Sequence, residues 1–267
     1  MLQVAIGGYA VRAVLPYADV VMENGAGEYF DIFNVHTYRP ICEFPEALRS
    51  VRDHLKRHNI ADRPVWFTEN GSNMEGAGRT GSYIPGLKAH SPEQELLIAE
   101  YLPKMMVTMQ SLGVARDFFF VLPPYNETGG NKDWGLMRRD FTVKPGYAAC
   151  ATLVDQLGNA APEGEVRLGD GLKGFLYRRK EGGKVLAYWC ISELDTDKPR
   201  PGLSNADLKA RTFALPLSGD IRGVDLVGTL LAIAGLRYRW HAAAAVENRL
   251  ANLTVRGGMW ILDHVER

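Results

Sequence analysis

Cysteine is scarce in this sequence: Cys42, Cys150 and Cys190 are the only three in 267 residues, widely spaced and without a Cys-x-x-Cys pair. That spacing excludes a disulfide framework and a thiolate metal knuckle, so all three read as buried free thiols. Net charge is lacking as well. Lys plus Arg and Asp plus Glu stand at 31 each, so no bulk field draws the chain to nucleic acid or to an anionic membrane. The six histidines do not cluster along the chain and show no metal-ligand spacing, and neither a metal nor another cofactor is expected. "IGGYA" lacks the full glycine fingerprint of a dinucleotide site. The apolar opening "MLQVAIGGYAVRAVLPYADVV" has no basic segment before it and is interrupted by Pro16. It reads as neither a signal peptide nor a membrane span, and the sequence assigns no compartment.

What is present is ordinary globular composition, 46% hydrophobic and 23% charged. The first 158 residues alternate short β-rich runs with longer helical patterns. The β candidates are "QVAIGG" (3–8), "YFDIFNVHTY" (29–38), "PVWFTEN" (64–70) and "RDFFFVLPPY" (116–125). Helical patterns lie near 11–23, 44–58, 91–112 and 145–157. Strands separated by helix-length crossovers imply parallel βα units. Ser91-Pro92-Glu93-Gln94 is a helix start with N-cap, N1 proline and capping-box Gln. Ile98, Leu102, Met105, Met109 and Leu112 follow as an apolar stripe, with a kink expected at Pro103.

From about residue 159 to 267 the texture changes to short β-type runs divided by Gly, Asp and Pro turns, which predicts an antiparallel, sandwich-like domain. "HAAAAVENRL" is the one segment there with helical character. Asn-x-Ser/Thr triplets at Asn70, Asn126 and Asn252 carry little weight as glycosylation signals.

Glu-Asn-Gly occurs twice, at 23–25 and 69–71. The first copy follows a helical pattern, and Asn24-Gly25 suits the left-handed end of a helix. The second ends a strand. By the period of two, Val65, Phe67 and Glu69 share one face, with Trp66 and Thr68 on the other. In the preceding strand Asn34, His36 and Tyr38 share a face, and three polar groups there are costly unless they open onto a polar mouth. A carboxylate at the C-terminal end of a barrel strand is where barrel enzymes hold catalytic groups. Merely capping the next turn is the competing role for Glu69.

"FDIFNVHTY", "PVWFTENGSN" and "DWGLMRRDFTVKPGYAA" resemble strands six to eight of retaining glycoside hydrolases of the (β/α)8 clan with catalytic Glu on strands four and seven, nearest in character to the β-xylosidase, α-iduronidase and cellulase-like branches. The resemblance covers roughly residues 3–158. It implies a partial TIM barrel, about strands five to eight (1–158), followed by an all-β accessory domain (159–267). It makes Glu69 the nucleophile, gives Tyr38 the hydrogen bond that orients it, and sets His36 at the subsite of cleavage. Asn34, Tyr125, Trp134 and Tyr83 become candidates for binding the carbohydrate substrate. The acid/base Glu of strand four has no counterpart, so little or no turnover is expected of the isolated chain. Glu75, Glu127 and Asp133 are weak substitutes. Four βα units also leave two open sheet edges, which makes another half-barrel chain or a homo-oligomer the expected protein partner. The rival reading is a non-catalytic carbohydrate-binding or interaction module.

Overall fold

The computed structural model describes residues 2–10, 15–71, 90–125 and 135–191, and beyond these the strands at 211–219, 222–225, 241–242, 246–255 and 259–263. The N-terminal part runs β1 (Tyr9–Ala10), α1 (Leu15–Glu23), β2 (Phe33–Thr37), α2 (Phe44–Arg57), β3 (Val65–Asn70), α3 (Pro92–Ser111), β4 (Arg116–Phe119) and α4 (Pro145–Leu157). All strand pairs are parallel, in the order β1-β2-β3-β4. This is an α/β fold in which each crossover is a helix.

One face of the sheet is apolar because Phe33, Val35, Val65 and Phe67 alternate onto it. α2 covers that face with Phe44, Ala47, Leu48, Val51 and Leu55, and α3 adds Ile98, Leu102, Met105 and Met109. α3 starts as its sequence requires. Ser91 Oγ accepts from Gln94 N at 3.2 Å, and Gln94 Oε1 returns a bond to the His90 amide at 2.6 Å. Pro103 is buried within this helix and does not end it. α1 ends at Glu23, with Asn24 N on Val20 O and Gly25 at φ 87° donating to Met22 O. The first Glu-Asn-Gly is therefore a helix stop.

The first and last of these strands depart most from their β-rich runs. Over residues 3–8 only a bridge from Ala5 to Ile32 and amide bonds around Val4 and Ile6 form, and the ladder proper begins at Tyr9. Gly7-Gly8 has no side chains to hold a pleat there. β4 ends at Phe119, ahead of Pro123-Pro124, which have no amide to donate.

Past α4 the chain is β5 (Ala160–Glu165), β6 (Leu172–Arg179), β7 (Lys184–Cys190), β8 (Arg211–Gly219), β9 (Arg222–Asp225), β10 (His241–Ala242), β11 (Val246–Val255) and β12 (Met259–Asp263). These form an antiparallel sheet ordered β10-β9-β12-β7-β6-β5 and a separate β11-β8 pair. The helical character of "HAAAAVENRL" is overturned where the backbone is described, since Val246 onward pairs with β8. Val107, Leu153 and Leu157 of the helices share a core with Phe175, Tyr177, Val185 and Trp189. This second surface explains why α3 is buried nearly all round. The expectation of buried thiols is corrected at two positions, since Cys42 is exposed and Cys150 only partly covered. Among the described residues no helix is long and apolar enough to cross a membrane.

Candidate active site

The second Glu-Asn-Gly sits on a bulge. Phe33, Asn34 and Val35 pair with Val65, Trp66 and Phe67, but His36 then pairs with Glu69, leaving Thr68 as an extra residue. The β4 side shows the same slip, from Phe67↔Asp117 to Asn70↔Phe119. Simple alternation puts Glu69 with Val65 and Phe67, against the helices. That expectation is corrected here, because the bulge turns Glu69 onto the face of Asn34 and His36. Bulges re-aim side chains in this way.

On that face five side chains are connected. Tyr38 Oη donates to Glu69 Oε1 at 2.6 Å, and His36 Nδ1 lies 3.2 Å from Glu69 Oε2. Thr68 Oγ1 donates to Asn34 Oδ1 at 2.7 Å, and the Thr68 amide points to the same oxygen. The Thr68 hydroxyl proton is thereby committed, so Thr68 Oγ1 accepts from His36 Nε2 at 3.2 Å. His36 and Glu69 are in direct contact, each about one-third exposed and reachable from solvent.

Close backbone approach makes room for these groups. A Cβ on Gly8 would stand 2.1 Å from His36 Nε2, and one on Gly71 3.0 Å from Tyr38 Cε1. Tyr101 Oη, from α3, donates to Arg39 O at 2.6 Å and is 3.1 Å from Gly71 O, tying together the segments that follow β2 and β3. Gly8→Ala is expected to push the imidazole away from Thr68 and Glu69. His36 ring resonances followed by NMR check this, and an unchanged spectrum would show that β1 yields instead.

Behind Glu69, on the helix side, Asn70 is fully buried and Asn70 Nδ2 donates to Asp117 Oδ1. Burial holds the Asp117 carboxyl up to about 7 and, together with the charge of Asp117, raises the Cys150 thiol. The residue retains some exposure overall, but its Oδ2 is sealed from solvent and unpartnered, as is Asn70 Oδ1. An Asn in that position offers no glycosylation acceptor.

Of the residues singled out from the sequence, Glu69, Tyr38, His36 and Asn34 come together. Asn34 has its Oδ1 occupied by Thr68 and is nearly covered. Tyr125 is exposed and packs edge-on against Phe120, ring centroids 5.3 Å apart. Tyr83, Trp134, Glu75, Glu127 and Asp133 lie outside the described residues. Thr68, Gly8, Gly71, Tyr101 and the Asn70–Asp117 pair escaped the sequence reading, because each depends on the bulge or on a contact distant in sequence. The histidine reading needs correction too. His54 of α2 and His58, the residue that caps it, converge with Asp19 of α1.

No family model matches this chain, and no curated protein matches it. Solved structures do. A family 39 glycoside hydrolase from the gut symbiont Bacteroides cellulosilyticus WH2 is similar over 92% of this chain and 46% of its own, at 14% identity and TM-score 0.58. A glucosidase from Croceicoccus marinus is similar over 97% and 59%, at 12% identity and TM-score 0.59. A GH39 β-xylosidase from Caulobacter crescentus is similar over 100% and 58%, at 16% identity and TM-score 0.57. The likeness is one of fold: an α/β arrangement similar to glycoside hydrolase TIM barrels. The chain spans about half the length of these structures.

Proposed function

We propose that this chain is the nucleophile-bearing part of a retaining glycoside hydrolase acting on O-glycosyl bonds, with Glu69 as the nucleophile. The observation that carries the reading is the bulge at Thr68, which takes Glu69 out of the core and sets it between Tyr38 and His36 at the C-terminal end of a parallel strand. One Glu69 oxygen is held by a hydroxyl donor and the other faces an imidazole nitrogen at 3.2 Å. This fixes the carboxylate for attack on an anomeric carbon while leaving it open to solvent.

Retention needs a second carboxyl group about 5–5.5 Å away to protonate the leaving oxygen and later to activate water. Asp117 does not qualify, since it lies on the helix-facing side with Asn70. In the proposed enzyme the acid/base comes from a further half-barrel that closes on this sheet. The exposed Leu2, Val4, Tyr17, Val20 and Tyr29 near the β1 edge support such a closure. Tyr125, Tyr83 and Trp134 are assigned to sugar faces, Asn34 to holding Thr68 and His36 in place beside the substrate, and residues 159–267 to an accessory domain.

A 2-fluoro glycoside with a good leaving group tests the assignment, because it forms the glycosyl-enzyme ester and hydrolyses slowly. Peptide mapping of the protein completed by its other half-barrel should find the sugar on Glu69. A label on another residue, or none, sinks the assignment. The Gly8→Ala variant should label about 100-fold more slowly, since a displaced His36 leaves Glu69 misaligned.

A further inference from the structure

We propose that Asp19, His54 and His58 form a binding site for a divalent transition metal ion, with zinc the cation that best fits the donor set. His54 lies in the last turn of α2 and His58 caps its C-terminus four residues on, so their rings share a face, with centroids 4.8 Å apart. Asp19 reaches them from α1. His54 Nδ1 and His58 Nε2 each stand 2.8 Å from Asp19 Oδ1, and the three ligand atoms lie within 4.8 Å of one another. Two imidazole nitrogens and one carboxylate oxygen, with a fourth position open, make a three-ligand zinc set.

As a hydrogen-bond cluster the arrangement is overfilled. Asp19 Oδ1 takes both rings and also Arg57 Nη2 at 3.2 Å, whereas Oδ2 has Arg57 alone at 3.4 Å. Three donors thus converge on an oxygen with two lone pairs. An ion at the point of convergence takes the ring lone pairs and the carboxylate together. With bonds of about 2.0–2.1 Å in a tetrahedral arrangement, its ligands stand roughly 3.3 Å apart. The two Asp19–His distances open by about half an ångström to reach that spacing while the two ring nitrogens, within 4.8 Å of each other, draw together, and Arg57, 55% exposed, is free to swing away.

His54 is suited to the role. It is fully enclosed, packed against Phe33 with ring centroids 5.3 Å apart. Burial first of all, opposed by the hydrogen bond to Asp19, pushes its pKa down, which favours the neutral ring that ligates metals. Its Nε2 is buried without a partner in this structure, so committing Nδ1 to an ion breaks no bond on the far side of the ring. Asp19 and His58 are partly open, which gives an entry path. Phe33 begins β2 while His36 lies toward its other end. The ion therefore ties α1 to α2 at the end of the sheet away from Glu69, the end of a barrel that serves stability.

Zinc alone, titrated calorimetrically into the chelator-treated 267-residue chain, tests the site. One equivalent should bind, and zinc at about a hundredfold excess over Kd should raise Tm by roughly 5–10 °C. Cobalt in its place should show the intense visible bands of a tetrahedral ion. His58→Asn and Asp19→Asn, both at partly exposed positions, should each weaken binding by at least about 100-fold while the circular dichroism spectrum is kept. If one variant fails to fold, the other decides. The absence of saturable binding at one ion per chain, or equal affinity in a folded variant, overturns the site.

Discussion

Glu69→Gln is expected to lower kcat by at least about 10⁴-fold in whichever form of the protein turns over glycosides, the chain alone or the chain completed by another half-barrel. The size of the loss follows from what the amide keeps and what it gives up. Gln is nearly isosteric, its oxygen still accepts from Tyr38, and its NH2 group still meets His36 Nδ1, so both contacts made by Glu69 persist. The negative oxygen that attacks the anomeric carbon is absent. Sugar affinity should therefore survive while chemistry stops. Glu69→Ala leaves a space in which azide can attack from the same side, so rescue by azide with a glycosyl azide as product is the expected companion result. Turnover within tenfold of wild type in Glu69→Gln would remove Glu69 from the chemistry. Sugar binding unchanged in a protein that never turns over would favour a binding module instead.

Much of the framework behind this result is legible in the sequence. The four helices are marked by local chemistry: Ser91-Pro92 and Lys144-Pro145 at starts, Asn24-Gly25 at a stop, and apolar stripes between. The strands are marked by β-branched and aromatic runs, and their parallel pairing follows from helix-length connections. The conjunction of His36, Tyr38 and Glu69 is legible too, because each stands near a strand end and the strands are neighbours.

The side to which Glu69 turns is not legible. Counting by twos from Val65 gives the helix-facing side, and nothing in "VWFTENG" announces the extra residue. Thr68 has high β propensity and reads as one more strand position. Its effect appears only in pairing with β2 and β4, which are distant in sequence. The same limit applies to the trio of Asp19, His54 and His58. The spacing of four between the histidines is visible, but Asp19 is 35 residues from His54. Tertiary contacts of this kind are set by how α1 lies on α2, which depends on the core between them rather than on a local motif.

Asp117 yields the second large effect, and it is one of pH on stability. Its carboxyl titrates near 7 in the folded chain because burial opposes the charge, against an ordinary value of 3.8. Between these values the folded state keeps a proton that the unfolded state has released. Stability therefore falls as pH rises through this window, by about 1.4 kcal/mol per pH unit and of the order of 4 kcal/mol in all. Below pH 4 both states are protonated and the term vanishes. Asp19, held down to about 2 chiefly by its hydrogen bond to His58, works in the opposite sense and at lower pH, where its stabilisation is lost as pH falls from 3.8 toward 2. The proton on Asp117 also has a structural use. Asn70 Nδ2 donates to Asp117 Oδ1, while Asn70 Oδ1 and Asp117 Oδ2 are buried without partners. A proton on Oδ2 turns these two unpaired oxygens into donor and acceptor within one side-chain pair. Asp117→Asn makes that arrangement permanent, because its NH2 group supplies the donor at every pH. Urea unfolding at pH 4 and pH 8 is the measurement. The variant should match the wild type at pH 4 and exceed it by a few kcal/mol at pH 8, with the difference growing between pH 4 and 7. A difference that is constant across this range, or larger at pH 4, would show that the Asp117 carboxyl is ionised in the folded chain throughout.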